Sequence, residues 1–137
     1  MADENKIFDV EIITPDRIFY KGEASMIEFN TSEGEIGVYK KHIPLTTVIA
    51  PGIVTIYEEE KEVTAAVYSG FAEILPDKVT LLAEIAEWPD EIDTARAEAA
   101  KKRAEERLAH KTEAIDVKRA ELALRKALVR LDVADRK

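Results

Sequence analysis

The sequence predicts an α+β protein in two parts, an N-terminal antiparallel β-sandwich of about ten strands followed by a C-terminal α-helical hairpin. All five glycines, all five prolines and all nine aromatic residues lie at or before Pro89. Eleven of the nineteen alanines lie in the last 46 residues, where strong helix formers predominate. Apolar residues alternate with polar ones in the first part and recur every three or four residues in the second. We therefore expect a sandwich domain over 1–89 and a two-helix hairpin over 90–137.

Short β-type segments separated by turn residues fill the first part of the chain. Phe8, Val10 and Ile12 alternate with carboxylates, which is the period of a half-buried strand, and 14–17 follows as a turn. Further strands are predicted at 18–20, 24–30, 36–39, 43–49, 53–57, 63–68, 71–75 and 79–86, with breaks at 21–22, 32–35, 51–52, 58–62 and 76–77. Strands repeating at this interval indicate a sandwich or a flattened barrel.

The first predicted helix begins near Asp90, because neither glycine nor proline occurs from there to the end of the chain. Asp90 or Asp93 is the expected N-cap, and the helix runs to about His110. One stripe of this helix carries a carboxylate followed by three guanidiniums, and it consists of Asp93, Arg96, Ala100, Arg103 and Arg107. A neighbouring stripe is nearly all alanine, and it consists of Ala97, Ala100, Ala104 and Leu108. Since an alanine face lets another helix approach closely, we expect a charged groove beside the helix pair to be the ligand site.

The second predicted helix follows a turn at Lys111-Thr112-Glu113, with Thr112 or Asp116 as its cap. Its apolar residues recur at helical spacing, at Val117, Ala120, Leu124, Ala127, Leu131 and Ala134. A seam made largely of alanine buries little apolar area, at ~25 cal/mol per Å². We therefore expect the hairpin to open while the sandwich stays folded.

Charge and composition exclude several functional classes. Residues 1–89 carry 17 acidic and 7 basic side chains and residues 90–137 carry 11 and 13, which gives a net charge of −8. An acidic body argues against nucleic acid as a partner. The absence of cysteine excludes disulfides and thiolate metal sites. Because no apolar run approaches ~18 residues and no signal-peptide pattern is present, we expect a cytoplasmic protein without direct membrane insertion.

Few residues outside the hairpin suggest a site. The acidic run 58–62 lacks the spaced ligands and the glycine of a calcium loop, so we interpret it as a solvated hairpin tip and predict no metal site. His42 lies beside two lysines without a nucleophile motif, and we interpret it as a structural or subunit-interface residue. Because the sequence contains no catalytic triad, metal cluster or phosphate loop, an enzyme is the least favoured class.

Six segments fall in the order and spacing of one known family over essentially the whole chain. They are Thr14-Pro15-Asp16, Gly34-Glu35-Ile36-Gly37, His42-Ile43-Pro44-Leu45, Ser69-Gly70-Phe71, Ile92-Asp93-x-x-Arg96-Ala97 and the run from Lys118 to Leu124. Together they resemble the epsilon subunit of the bacterial F-type rotary ATP synthase, and the fifth resembles the ATP-recognition motif of epsilon subunits from bacilli. The resemblance implies a ten-stranded sandwich followed by a helical hairpin. It also implies a non-catalytic, central-stalk subunit of a proton-translocating enzyme, peripheral to the cytoplasmic face of the cell membrane.

The resemblance also implies partners and a regulatory ligand. The partners are the gamma subunit, the c-subunit ring and the catalytic beta and alpha subunits. The helices restrain ATP hydrolysis when they extend, and ATP bound to the folded hairpin favours the compact form; no magnesium requirement is expected. Carried over residue by residue, the ATP contacts are Glu87, Ile92, Asp93, Arg96, Ala97, Arg103, Lys126 and Arg130. The inhibitory basic face, which would meet acidic partners in the extended form, consists of Lys118, Arg119, Arg125, Lys126 and Arg130.

The chemistry of these residues leaves two readings of the hairpin open. A carboxylate such as Asp93 accepts the adenine amino group, and guanidiniums such as that of Arg96 bind phosphate oxygens, but the two also fit an exposed ion pair. The alternative function is a structural adaptor with a permanently docked hairpin and no ligand. Two positions depart from the family. Lys126 stands where ATP-binding relatives tend to have arginine, whose planar fork lysine lacks, and Tyr39-Lys40-Lys41 replaces a common Leu-Pro-Gly.

Overall fold

The computed structural model describes residues 6–110 and 114–136, and the chain divides into two compact units, Met1–Glu87 and Trp88–Lys137. The strands of the first unit are β1 Phe8–Thr14, β2 Arg17–Ala24, β3 Met26–Thr31, β4 Gly34–Val38, β5 Leu45–Ile49, β6 Gly52–Tyr57, β7 Glu62–Val67, β8 Gly70–Leu75, β9 Lys78–Ala83 and β10 Ala86–Glu87. The second unit holds a 3-10 turn, Pro89–Glu91, and two helices, α1 Thr94–Ala109 and α2 Ala114–Ala134. Neither helix, over the residues described, is long and apolar enough to cross a membrane.

The strands form one hydrogen-bonded sheet that folds into a sandwich. The strand order is β10-β7-β6-β3-β5-β8-β9-β1-β2, and β4 pairs with β3. The first half of β3 pairs with β6, whereas Thr31 at its end pairs with Ile49 of β5. Among the described strands, every pair is antiparallel except β1 with β9, which is parallel. The predicted ten-stranded antiparallel sandwich is therefore confirmed with one exception, because alternation specifies the faces of a strand and not its direction.

The core is built from the alternate residues of these strands. In β1 the predicted apolar positions are buried while Asp9 between them is exposed. The fully buried side chains are mostly branched and aromatic, and they include Val10, Ile12, Ile27, Phe29, Val38, Val54, Ile56, Val67, Tyr68, Ile74, Val79 and Leu81. Burial of this apolar area is the main stabilising contribution to the unit.

The β1–β2 turn is closed by the side chain of Thr14. Its buried Oγ1 donates to Asp16 Oδ1 at 2.7 Å and lies 3.2 Å from the Arg17 carbonyl oxygen. The hydrogen bond from Thr14 is the largest of the effects that lower the pKa of the Asp16 carboxyl. The turn predicted at 14–17 is thus present and is held by a side-chain bond.

The acidic run lies in the tip between β6 and β7, as predicted. The Glu58 N–H donates to the Lys61 carbonyl at 2.9 Å, which closes the tip. The Tyr20 hydroxyl donates to Glu58 Oε2 at 2.7 Å, and burial together with this bond raises the pKa of Tyr20. The Tyr57 hydroxyl donates to Glu28, and this bond is the main cause that raises the pKa of Tyr57 to about 12.

Several predicted strand boundaries are wrong. The break predicted at 32–35 is shorter because β4 begins at Gly34, and the strand predicted at 24–30 begins only at Met26. The break predicted at 21–22 is absent because β2 continues through Gly22, over which the Tyr20 side chain packs; a Cβ at Gly22 would lie 2.6 Å from the Tyr20 hydroxyl oxygen. β5 begins at Leu45 rather than Ile43, after Pro44, which has no N–H to donate to a ladder. The strand predicted at 79–86 is divided between β9 and β10.

The two helices pack along the predicted alanine seam, which is confirmed. Its most buried members are 1 to 5% exposed, and they are Ala97, Ala104, Ala120, Ala127 and Ala134. Asp116 lies inside α2 and is not its cap, which corrects that prediction. The predicted turn at Lys111-Thr112-Glu113 and the Thr112 cap lie outside the described residues.

Candidate functional site

The entry to α1 is a short extended segment between the 3-10 turn and the helix. Glu91 Oε1 accepts the Trp88 N–H at 2.9 Å, and the Glu91 N–H donates to the Trp88 carbonyl at 3.0 Å. Ile92 then leaves the turn in an extended conformation and is 6% exposed. Asp93 is the N-cap of α1, and its Oδ1 accepts the Arg96 N–H at 3.1 Å. Of the two predicted caps, Asp93 is therefore correct, and its carboxylate is fixed at the start of the helix.

The cap leaves acceptor capacity on Asp93. An ionised carboxylate offers about four lone-pair positions, and the bond from the Arg96 N–H uses one of them. The Arg96 side chain is exposed, Ala97 beside it is buried, and Arg103 is exposed two turns further along the same stripe. One side of α1 thus presents a carboxylate and two guanidiniums next to a buried methyl group.

Lys126 and Arg130 lie in the second half of α2. A groove lined by residues from the end of α1 and the start of α2, among them Arg107 and Asp116, shows that the two helices run in opposite directions. The second half of α2 therefore lies toward the first half of α1, and both α2 side chains are half-buried.

The groove between the helices near their connection has a volume of about 850 Å³. It is lined by three guanidiniums, an imidazole and two carboxylates, namely Arg103, Glu106, Arg107, His110, Asp116 and Arg119. The His110 N–H donates to the carbonyls of Glu106 and Arg107, and its Nδ1–H donates to the Glu106 carbonyl at 3.0 Å, which completes the C-terminus of α1.

Arg103 is the one member of the predicted ATP set that lines this groove, as far as the described residues extend. The sequence reasoning did not name Glu106, His110 or Asp116 as site residues. A signal for the first two was present, since residues 103, 106 and 110 recur at helical spacing on one face. The groove predicted beside Arg96 stays a prediction.

Glu87, the remaining predicted ATP contact, lies in β10 of the first unit. The Tyr68 hydroxyl, which belongs to a side chain only 1% exposed, donates to Glu87 Oε1 at 2.7 Å. This bond positions the carboxylate at the end of the sandwich unit.

The predicted basic residues of α2 share one side of that helix. At 100° per residue, Lys118 and Arg125 lie opposite the buried alanines of the seam, whereas Arg130 lies only about 60° from their mean direction. The five basic residues are Lys118, Arg119, Arg125, Lys126 and Arg130. The first three are exposed and the last two are half-buried. These five residues form the cationic face of α2, which borders the apolar seam at Arg130 and includes the buried Val133.

His42, the predicted interface residue, lies in the connection between β4 and β5. It is half-buried, and its Nδ1–H donates to the Ile43 carbonyl at 2.7 Å. Over residues 6–110 and 114–136, histidine, aspartate and glutamate side chains nowhere gather in the groups of three that a metal ion needs.

Two family models together match nearly the whole chain. The model described as "ATP synthase, Delta/Epsilon chain, beta-sandwich domain" matches residues 7–89, and the "long alpha-helix domain" of the same chain matches residues 90–135. A relative from Shouchella clausii, described as ATP synthase epsilon chain, is 51% identical over 93% of this chain and 95% of its own length. An epsilon chain from Halalkalibacterium halodurans is 48% identical over 93% and 96%.

Solved structures share the fold. A chain in the Euglena gracilis mitochondrial ATP synthase, in its OSCP/F1/c-ring assembly, superposes with a TM-score of 0.80 at 24% identity, covering 98% of this chain and 84% of that one. A chain from the central stalk and c-ring of the Tetrahymena thermophila mitochondrial ATP synthase gives a TM-score of 0.61 at 11% identity, covering 93% and 96%. At these identities the likeness concerns the fold alone.

Proposed function

We propose that the helical unit is a switch whose two forms ATP biases. The premise is that the chain belongs to the delta/epsilon chain family of ATP synthase, as a bacillus-like, non-catalytic epsilon subunit of the central stalk. In this proposal the folded hairpin binds ATP and permits hydrolysis by the assembled enzyme. The extended helices contact the catalytic subunits and inhibit hydrolysis. The sandwich couples this element to rotation of the central stalk of a proton-translocating enzyme.

The observation that carries the proposal is the entry to α1. Asp93 is fixed there as a cap, and one turn of helix holds Arg96 and Ala97. In this proposal Lys126 and Arg130, which are half-buried on α2, are further contacts of the same ligand. The Asp93 carboxylate accepts the amino group of adenine, and the guanidiniums bind phosphate oxygens through charge-assisted hydrogen bonds. Lysine at position 126 contributes a point charge rather than a planar fork.

ATP is a regulatory ligand here and not a substrate. The chain lacks the Gly-x-x-x-x-Gly-Lys-Ser/Thr loop that cradles phosphates in hydrolysing enzymes, and its arginines suffice to neutralise a triphosphate. Magnesium is not required for this mode of binding.

The seam supports a two-state element. Each buried alanine methyl contributes about 0.8 kcal/mol, well below the 1.5–3 kcal/mol of a buried leucine. Because ATP binds only the folded hairpin in this scheme, it stabilises that form by about 2.7 kcal/mol at one hundred times its dissociation constant. If the connection straightened, residues 91–134 would form one helix of roughly 66 Å, at about 1.5 Å per residue.

The extended form would present the cationic face of α2 to acidic surfaces of the catalytic beta and alpha subunits. Replacing Lys118, Arg119, Arg125, Lys126 and Arg130 with alanine is expected to release ATP hydrolysis in the assembled enzyme. Unchanged inhibition would contradict the role of this face.

The sandwich is proposed to bind the gamma subunit and the c-subunit ring, with His42 at a subunit interface. This arrangement places the chain at the cytoplasmic face of the cell membrane as a peripheral subunit. The acidic charge of residues 1–89 argues against nucleic acid as a further partner.

Calorimetric titration of the full chain with ATP tests nucleotide binding. We expect Arg96→Gln to weaken ATP binding by about 10- to 150-fold, since a hydrogen bond to a charged group contributes about 1.5–3 kcal/mol. Lys102→Gln is the matched control, because it removes one exposed positive charge from the same helix outside the predicted set. Binding that is absent in the unaltered chain, or equal in both variants, would refute the nucleotide part of the proposal.

A crosslink between α1 and α2 distinguishes the switch from a structural adaptor with a permanently folded hairpin. Cysteines introduced on the facing surfaces are oxidised in the assembled enzyme, and ATP hydrolysis is measured before and after reduction. A switch loses its inhibition when crosslinked and recovers it on reduction. An adaptor gives the same rate in both states.

A further inference from the structure

The connection between β4 and β5 contains a strained lysine. Lys41 has φ 65°, and it is the one residue other than glycine in the left-handed region over the described ranges. This region is disfavoured for residues with a Cβ, because the Cβ approaches the following carbonyl oxygen. Glycine occupies it without that penalty.

The backbone of Lys41 is held in this conformation. Its N–H donates to the Pro76 carbonyl in the β8–β9 turn at 2.6 Å, which ties two neighbouring connections together. A glycine at position 41 would make the same hydrogen bond with less strain. The backbone conformation therefore does not account for a lysine at position 41, and a role of its side chain must be sought.

The side chains around Lys41 form an apolar and cationic tip, which comprises 39–43 and the adjoining ends of β5 and β8. Tyr39 is 62% exposed and Ile43 is 76% exposed, with Leu45 and Leu75 at 41% each. Residues 1–89 carry only seven basic side chains against seventeen acidic ones, yet two of the seven are adjacent at 40–41. The tip thus departs from the rest of an acidic unit in charge.

We propose that Lys41 is a partner-contact residue whose ammonium group pairs with a carboxylate on an acidic protein surface of the rotary complex. Tyr39 and Ile43 pack against apolar groups at the edge of the same surface. This inference rests on the proposed function and adds to it the charge of the surface that this tip meets. The strain at Lys41 is retained because glycine, which removes it, also removes the charge.

A protein surface fits the tip better than a membrane surface. An anionic membrane is an extended field of negative charge, and it would repel the net negative charge of residues 1–89. A discrete carboxylate brings one negative charge to the tip, whereas an anionic membrane brings many within the roughly 8 Å over which exposed charges act at physiological ionic strength. The charge distribution therefore favours a discrete carboxylate.

Rebinding of the full chain to ATP synthase stripped of this subunit tests the inference. We expect Lys41→Gly to weaken rebinding at low salt by about five- to tenfold, with the difference shrinking as salt rises. The same variant is expected to raise the unfolding temperature of the sandwich by roughly 4 °C, because it relieves the left-handed strain. Lys41→Arg retains the charge and the affinity, and Lys21→Gln, which removes an exposed lysine from β2, changes neither quantity.

The outcomes separate this inference from the proposed function. If the unaltered chain does not rebind, the proposed function is overturned and the inference with it. If it rebinds and Lys41→Gly rebinds equally well, the inference alone is overturned. Sedimentation of the unaltered chain, but not of Lys41→Gly, with phosphatidylglycerol vesicles would show that the partner is lipid and would also overturn it.

Discussion

Enlarging one seam alanine should loosen the hairpin without affecting the sandwich. Ala104 is 2% exposed in the interface between α1 and α2, so the Ala104→Leu substitution places three further carbon atoms where the helices already touch. Overpacking a well-packed interior costs about 1–3 kcal/mol. Since 1.4 kcal/mol is a factor of ten, the opening equilibrium of the hairpin should rise by about 5- to 150-fold.

Hydrogen exchange of the full chain, followed by mass spectrometry, measures this change directly. Amides of α1 and α2 should exchange faster by that factor, because their protection depends on the folded hairpin. Amides of the sandwich strands should keep their rates, since the two units are separately compact. Added ATP should restore part of the protection if the folded hairpin is the form that binds it.

Ala99→Leu is the matched control, because it adds the same atoms to an exposed position on the same helix. It should leave exchange in α2 unchanged. Equal acceleration in both variants would show that bulk on α1, and not the seam, governs opening. Equal acceleration in sandwich and hairpin would show that the two units unfold together, and would refute the reasoning.

Three further predictions follow from single side-chain contacts. Asp93→Ala should destabilise α1 by about 1 kcal/mol through loss of the cap, measured as faster exchange of its first turn, whereas Asp93→Ser should keep the cap and lose only ATP binding. Thr14→Val should raise the pKa of Asp16 toward its usual value, as measured in an NMR titration. The hydrogen bond from Thr14 to the ionised Asp16 stabilises the fold above about pH 4, and this contribution is lost as the pH falls through the lowered pKa of Asp16. Glu28→Gln should return the pKa of Tyr57 from about 12 toward 10 in an absorbance titration, because the carboxylate that opposes ionisation is gone, and an unchanged value would contradict that cause.

The helices were the most predictable part of the fold. The local signals were the apolar periodicity, the absence of glycine and proline, and a capping residue at Asp93. The two helices and the cap that these signals predict are confirmed. The strand boundaries were less predictable because they depend on contacts between distant residues. Gly22 is read locally as a break, but the Tyr20 side chain packs over it and β2 continues.

Only the part of the candidate site that lies on a single helix could be predicted from the sequence. The stripe from Asp93 to Arg103 follows from spacing on α1 alone. The groove near the helix connection also needs Asp116 and Arg119 from α2, and the register between two helices is not contained in the periodicity of either one. The left-handed conformation of Lys41 was equally inaccessible, because lysine gives no local signal for positive φ.

The parallel pairing of β1 with β9 affects how the chain acquires its fold during synthesis. Asp9 pairs with Lys78, so the first strand waits for a partner 69 residues away. At about 5–20 residues per second, a ribosome needs roughly 3–14 s to supply it. Until then β1 can pair along one edge only, with β2, and its other edge lacks its final neighbour. The helices emerge last, after every strand of the sheet has left the ribosomal active site.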